Sequence, residues 1–280
     1  MGGKTSKYWL AAWALTGTAI LSSLAFAYNP LNRTEYLAKI MEAEAYYKDK
    51  CEKVAGIKIY KTVPDVEGVL LMKIRPSRTD RELSDPDWPG AAFGTEYSGD
   101  SYITSFLGWE KRPQYSKERG NISTSPPTEN ARNLGWEFFP GYRWVEVIDP
   151  QDGQRYRYSG RYDEPWQTDK SYLKGYIRFK LNKTPPPSKT PPRYAVTFED
   201  HVIPEERALW VASSTVKVLD LKTHEVLGEM TIYAMSYIHA PRHSMPWLNH
   251  QVCPIPEGRD GTRTRHFVDQ ILIPKKDAQS

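Results

Sequence analysis

Along residues 8–28 the chain has no charged face. YWLAAWALTGTAILSSLAFAY runs for 21 residues without a charge, and at about 1.5 Å rise per residue such a helix covers a hydrocarbon core of about 30 Å. Lys4 and Lys7 precede the run with no acid beside them. The positive-inside tendency therefore leaves Met1 in the cytoplasm and carries residue 29 onward across the membrane. The fate of the segment has two readings. Tyr8, Trp9 and Tyr28 stand where interfacial aromatics hold a retained transmembrane helix, whereas Ala25-Phe26-Ala27 forms an acceptable cleavage signal ending at Ala27.

Beyond Asn29-Pro30 the pattern becomes amphipathic. Asn32 and Glu35 are placed as a capping box. Leu37, Ile40, Met41, Tyr47, Cys51 and Val54 then recur at helical steps until Gly56. Strand-like runs follow at 56–63 and 68–76, separated by Pro64-Asp65, which predicts a hairpin. Residues 77–135 are rich in Asp, Pro, Gly and Ser and read as one long irregular excursion around a short run at 101–109. Residues 142–149 and 154–160 flank a DPQDG turn and predict a second hairpin. The runs 173–183 and 193–200 flank TPPPSKTPP, whose prolines favour extended structure and lack amide donors. Residues 208–221 and 226–238 predict the longest hairpin, and 266–273 a last short helix or strand.

These elements predict an α+β fold. It comprises an N-terminal hydrophobic helix, an amphipathic helix, and a mainly antiparallel sheet built from hairpins with long irregular loops. Residues 1–28 read as anchor or signal peptide and 29–280 as a single extracytoplasmic domain. Composition agrees with a real core, since 39% of residues are hydrophobic and 12% aromatic. The net charge of +4 includes Lys4 and Lys7, so the remainder is near neutral and lacks the basic footprint that nucleic-acid binding requires. Export changes the reading of the two cysteines. Cys51 and Cys253 would meet an oxidising compartment, lack a CxxC partner, and are expected to form one structural disulfide.

No motif fixes a reaction, a metal or a cofactor. His239 and His243 have a four-residue step, but Pro241 interrupts it and no HExxH glutamate is present. Gly99-Asp100-Ser101 resembles the opening of the Gly-Asp-Ser-Leu motif of lipase-like hydrolases. Tyr102 stands in place of the leucine, and the absence of any Asp-x-x-His leaves the serine without a base. Adjacent acids at Asp85 and Asp87, Asp163 and Glu164, and Glu205 and Glu206 lie in turn-rich segments where carboxylates are usually solvated. The aromatic excess is more informative. Trp88, Trp109, Trp136 and Trp166 fall in or beside irregular segments, where flat amphipathic rings can contact a protein partner or a glycan, or plug loops onto the sheet. The sequence thus points to a non-enzymatic component of the cell envelope that meets a protein partner in the periplasm, with an apolar patch in region 77–145. The alternative is an extracytoplasmic hydrolase or glycan-binding protein with a cleft of aromatics and convergent carboxylates.

Overall fold

The computed structural model describes residues 33–107, 141–163, 165–176, 178–237, 245–255 and 261–275. The hydrophobic run 8–28 lies outside them, and among the described residues no helix is long and apolar enough to cross a membrane. Lys39–Ser280 form one compact unit.

The architecture is α+β around a nine-stranded mixed sheet. Helix α1 (Arg33–Lys53) precedes strands β1 (Gly56–Ile59), β2 (Val63–Val66) and β3 (Gly68–Leu71). Helices α2 (Asp80–Ser84) and α3 (Asp100–Phe106) follow, then β4 (Trp144–Ile148), β5 (Arg155–Asp163), β6 (Arg178–Thr184) and β7 (Tyr194–His201). The chain continues through α4 (Pro204–Ala208), β8 (Val211–Asp220), β9 (Glu225–Ser236), β10 (His250–Cys253), α5 (Arg263–Asp269) and β11 (Leu272–Pro274). The strand order is β1-β9-β8-β7-β3-β4-β5-β6, with β10 also on β9 and with β11 and β2 paired separately.

Two expected hairpins form: β4 with β5, in the register Val145↔Tyr158, and β8 with β9, in the register Thr215↔Thr231. The hairpin expected from 56–63 and 68–76 does not. β1 joins β9, β2 pairs in parallel with β11, and β3 lies parallel to both β4 and β7. The sheet is therefore mixed rather than built only from sequence neighbours. Every residue of β3 is buried, as a strand inside such a sheet requires. The segment 266–273 supplies both a helix turn and a strand, α5 and β11.

Alternation sorts the two faces of the sheet. Val69 and Leu71, Val145 and Val147, Val196 and Phe198, and Met230 and Ile232 share one core with Phe93, Tyr102, Phe106 and Phe267 from the covering segments. On the opposite face, Ala43 and Tyr47 of α1 pack with Val211, Tyr233 and Met235. The seam of α1 is thus narrower than its apolar pattern, for Leu37 is 49% and Met41 69% exposed. Cys51 and Cys253 are bonded beside this second core, with their Cα atoms 5.6 Å apart. β1 and β10 occupy successive stretches of the same edge of β9. The disulfide therefore ties the end of α1 to a strand lying 202 residues later.

Candidate functional site

β3, β4 and β7 are the parallel strands of the main sheet, and β3 lies between the other two. From β3 the chain proceeds toward β4 on one side, whereas β7 connects to β8 on the other. Outgoing connections that diverge in this way open a crevice at the carboxyl ends of neighbouring parallel strands. A cleft of about 380 Å³ lies there. Met72, Lys73, Ile74 and Pro76 line it from the exit of β3. Ile148 and Pro150 line it from the end of β4, and Phe198 and Asp200 from β7.

Behind the cleft is a buried polar network. The Arg75 guanidinium, in a residue only 3% exposed, lies 4.0 Å from the Phe93 ring centre and 3.6 Å from that of Phe198. Its Nη1 donates to Asp200 Oδ1 at 2.6 Å and its Nη2 to Ser214 Oγ at 3.3 Å. The Ser214 hydroxyl in turn lies 2.6 Å from Asp200 Oδ1. Two ring faces and two hydrogen bonds hold the guanidinium, which offsets much of the cost of removing both charges from water. Lys73 Nζ donates to the Phe198 carbonyl at 3.0 Å.

Glu96 extends the network toward α5. It is 1% exposed and accepts from the main-chain N–H groups of Arg263 (3.2 Å) and Thr264 (3.1 Å). Burial pushes its carboxyl up from 4.5 to about 7, against the opposing pull of Arg75 and of those hydrogen bonds. Tyr102, fully buried, has its phenol pushed up by the same desolvation, and its hydroxyl faces Thr264 without a hydrogen bond of normal geometry. A carboxyl poised near neutrality beside a tyrosine and an arginine can exchange a proton, but it is sealed inside the core, whereas Asp200 lies at the cleft surface.

The sequence-derived candidates are dispersed. Trp88 is 8% exposed and packs in the main core, its ring lying against Gly90. Trp166 is half-buried in the short turn Pro165–Gln167, where Lys170 Nζ sits 5.4 Å from its ring centre. Trp109 and Trp136 lie outside the described residues. Within 77–107, Trp88, Phe93, Tyr102 and Phe106 are core residues, and Tyr97 is the large side chain that reaches solvent, at 47% exposure. Ser101 is an exposed residue in the first turn of α3 and follows no strand. Asp85 caps the C-terminus of α2 and accepts from the Asp87 N–H. Glu206 is 1% exposed and accepts from Ser213 and Tyr46. The side chains of Asp163 and Glu164, and residues 238–244 with His239 and His243, lie outside the described residues. Among the described residues no group of three His, Cys, Asp or Glu side chains could hold a metal ion.

Sequence reading missed Arg75, Glu96 and Asp200. Asp200 had one available signal: an acid at the end of the strand-like run 193–200. The parallel pairing that makes this position a cleft was not encoded locally. No protein-family model, curated protein or solved structure matches this chain.

Proposed function

We propose that residues 29–280 act outside the cytoplasm as a non-enzymatic component of the cell envelope. Residues 8–28 hold them to the cytoplasmic membrane or direct their export, and their task is to engage another envelope protein. The Cys51–Cys253 disulfide carries this reading, because a structural bridge of this kind persists in oxidising compartments. It agrees with the lysine-flanked apolar run, which lies outside the described residues.

The alternative, a hydrolase or glycan-binding protein, draws on the cleft at the strand ends. Among the described residues that cleft offers one carboxylate, Asp200, and one aromatic ring, Phe198. Glycoside cleavage uses two carboxyls flanking the bond, so the interaction role is preferred. Affinity purification from native membranes, with and without residues 1–28, tests it. The expected result is a reproducible, stoichiometric envelope protein retained by the full chain. Recovery of the chain alone under crosslinking conditions would overturn the reading.

A further inference from the structure

We propose that the tip of the β5–β6 hairpin rests on a phospholipid bilayer with anionic headgroups, as a second membrane contact besides residues 8–28. The inference rests on the membrane attachment in the reading above and not on the envelope partner. The projection of the hairpin, the build of its tip and its charge carry it.

β5 pairs with β4 through Arg155–Tyr158, but with β6 as far as Asp163↔Arg178. The five pairs from Ser159↔Asn182 to Asp163↔Arg178 therefore form a ribbon with no third strand among the described residues. At about 3.4 Å per residue, it carries the tip about 17 Å past the last pair with β4.

Residues 165–176 at the end of this ribbon are ordered by their own backbone. The N–H groups of Thr168 and Asp169 donate to the Pro165 carbonyl at 3.1 and 2.8 Å, and that of Tyr176 to the Leu173 carbonyl at 3.0 Å. Gly175, at φ +78°, supplies the left-handed third position of the Leu173–Tyr176 turn. Leu173 is held there 83% exposed. The rings of Tyr172 and Tyr176 are stacked beside it, with centres 5.6 Å apart and planes 8° from parallel. An isolated exposed leucine is ordinary. One presented on a fixed turn beside two amphipathic rings has the build of an interfacial contact, its aliphatic group directed inward and its phenols at headgroup level. The order of the turn also lowers the cost of docking it.

The charge matches an anionic surface. Lys174 is exposed and follows Leu173 directly. Lys170 Nζ donates to the carbonyls of Trp166 at 3.0 Å and Gln167 at 3.1 Å, which leaves its third proton for a phosphate oxygen. Asp169, the one acid in 165–176, accepts from the Ser171 N–H at 2.9 Å. Residues 159–182 together hold five Lys or Arg against three Asp or Glu, and anionic headgroups attract such a segment. A leucine pocket on a protein would match Leu173 alone. Lysines and phenols around it match a surface that is apolar within and anionic outside.

The test uses the full chain with Ser171→Cys, labelled there with an environment-sensitive fluorophore while the native disulfide stays oxidised. It is reconstituted into phosphatidylcholine vesicles with and without phosphatidylglycerol. A chain labelled through Lys189→Cys, in the exposed loop at the other end of β6, is the reference. Lipid spin-labelled on its acyl chain is expected to quench the probe at 171, with blue-shifted emission, and to spare the probe at 189. Leu173→Ser should lower the ratio of docked to undocked tip at least about tenfold. Lys174→Ala should lower it about fivefold, and omission of phosphatidylglycerol at least as much. Both substituted side chains are exposed, so the variants keep the fold. Equal quenching at 171 and 189 would overturn the proposal and leave the tip to solvent or to a protein. Quenching at 171 that survives Leu173→Ser, or that ignores phosphatidylglycerol, would overturn it as well. Flotation of the Leu173→Ser chain with the vesicles reads residues 8–28 alone, so failure of the anchor and failure of the tip are told apart.

Discussion

Replacing Glu96 by glutamine should remove a pH dependence from folding stability. In the folded chain this carboxyl titrates at about 7, against 4.5 for an ordinary glutamate. A group whose folded pKa is raised binds its proton more tightly in the folded state. Its contribution is therefore complete below about pH 4.5 and is lost as pH rises through 7. At 1.36 kcal/mol per pKa unit, the loss by pH 8 is about 3 kcal/mol. Glutamine has nearly the same shape, stays neutral, and can still accept one of the two α5 N–H bonds, so its own cost is constant across the range. Urea unfolding of the full chain in one nonionic detergent, followed by tryptophan fluorescence at pH 5, 6, 7 and 8, reads the effect. The quantity of interest is the difference in slope, in which the raised Asp269 and other shared groups cancel. Wild type should lose about 2.5 kcal/mol more than Glu96→Gln between pH 5 and 8, since part of the contribution is already gone by pH 5. Parallel profiles would refute the claim that this buried carboxyl titrates near neutrality.

Replacing both Cys51 and Cys253 by serine releases a loop whose ends are 202 residues apart. The loop-entropy estimate puts the loss at up to about 5 kcal/mol, measurable as a lowered urea midpoint that is insensitive to added reductant. Trp88→Ala should cost about 3–5 kcal/mol of stability as a core truncation, and co-purification of any envelope partner by the variant that still folds should be unchanged. Loss of a partner with stability intact would make Trp88 a contact residue instead.

What was legible in the sequence follows from range. The β4–β5 and β8–β9 hairpins close over short turns, so alternation and turn residues suffice to place them. Helix α1 showed its extent through its period, but not its seam: Leu37 and Met41 belong to the pattern and remain exposed, while Ala43 and Tyr47 make the contact. β1 and β3 were readable as extended, whereas β2 runs through the Pro64-Asp65 pair expected as a turn; the partners of all three come from residues far along the chain, and no turn signal encodes β3 lying between β4 and β7. The excursion after residue 77 hid α2, although Thr79 and Glu82 form a capping box that its sequence displays. The disulfide was inferable because only two cysteines exist. The cleft was not, because Lys73 and Asp200 are brought together only by the parallel pairing of β3 and β7.

The central claim is that residues 29–280 reside in an oxidising space outside the cytoplasm. The redox state of Cys51 and Cys253 in intact cells of the native host tests it most directly. Cells are quenched in acid, and the denatured chain is alkylated with a mass-adding maleimide before or after reduction. The account predicts no mass shift without reduction and a shift for two thiols after it. A two-thiol shift without reduction would contradict it.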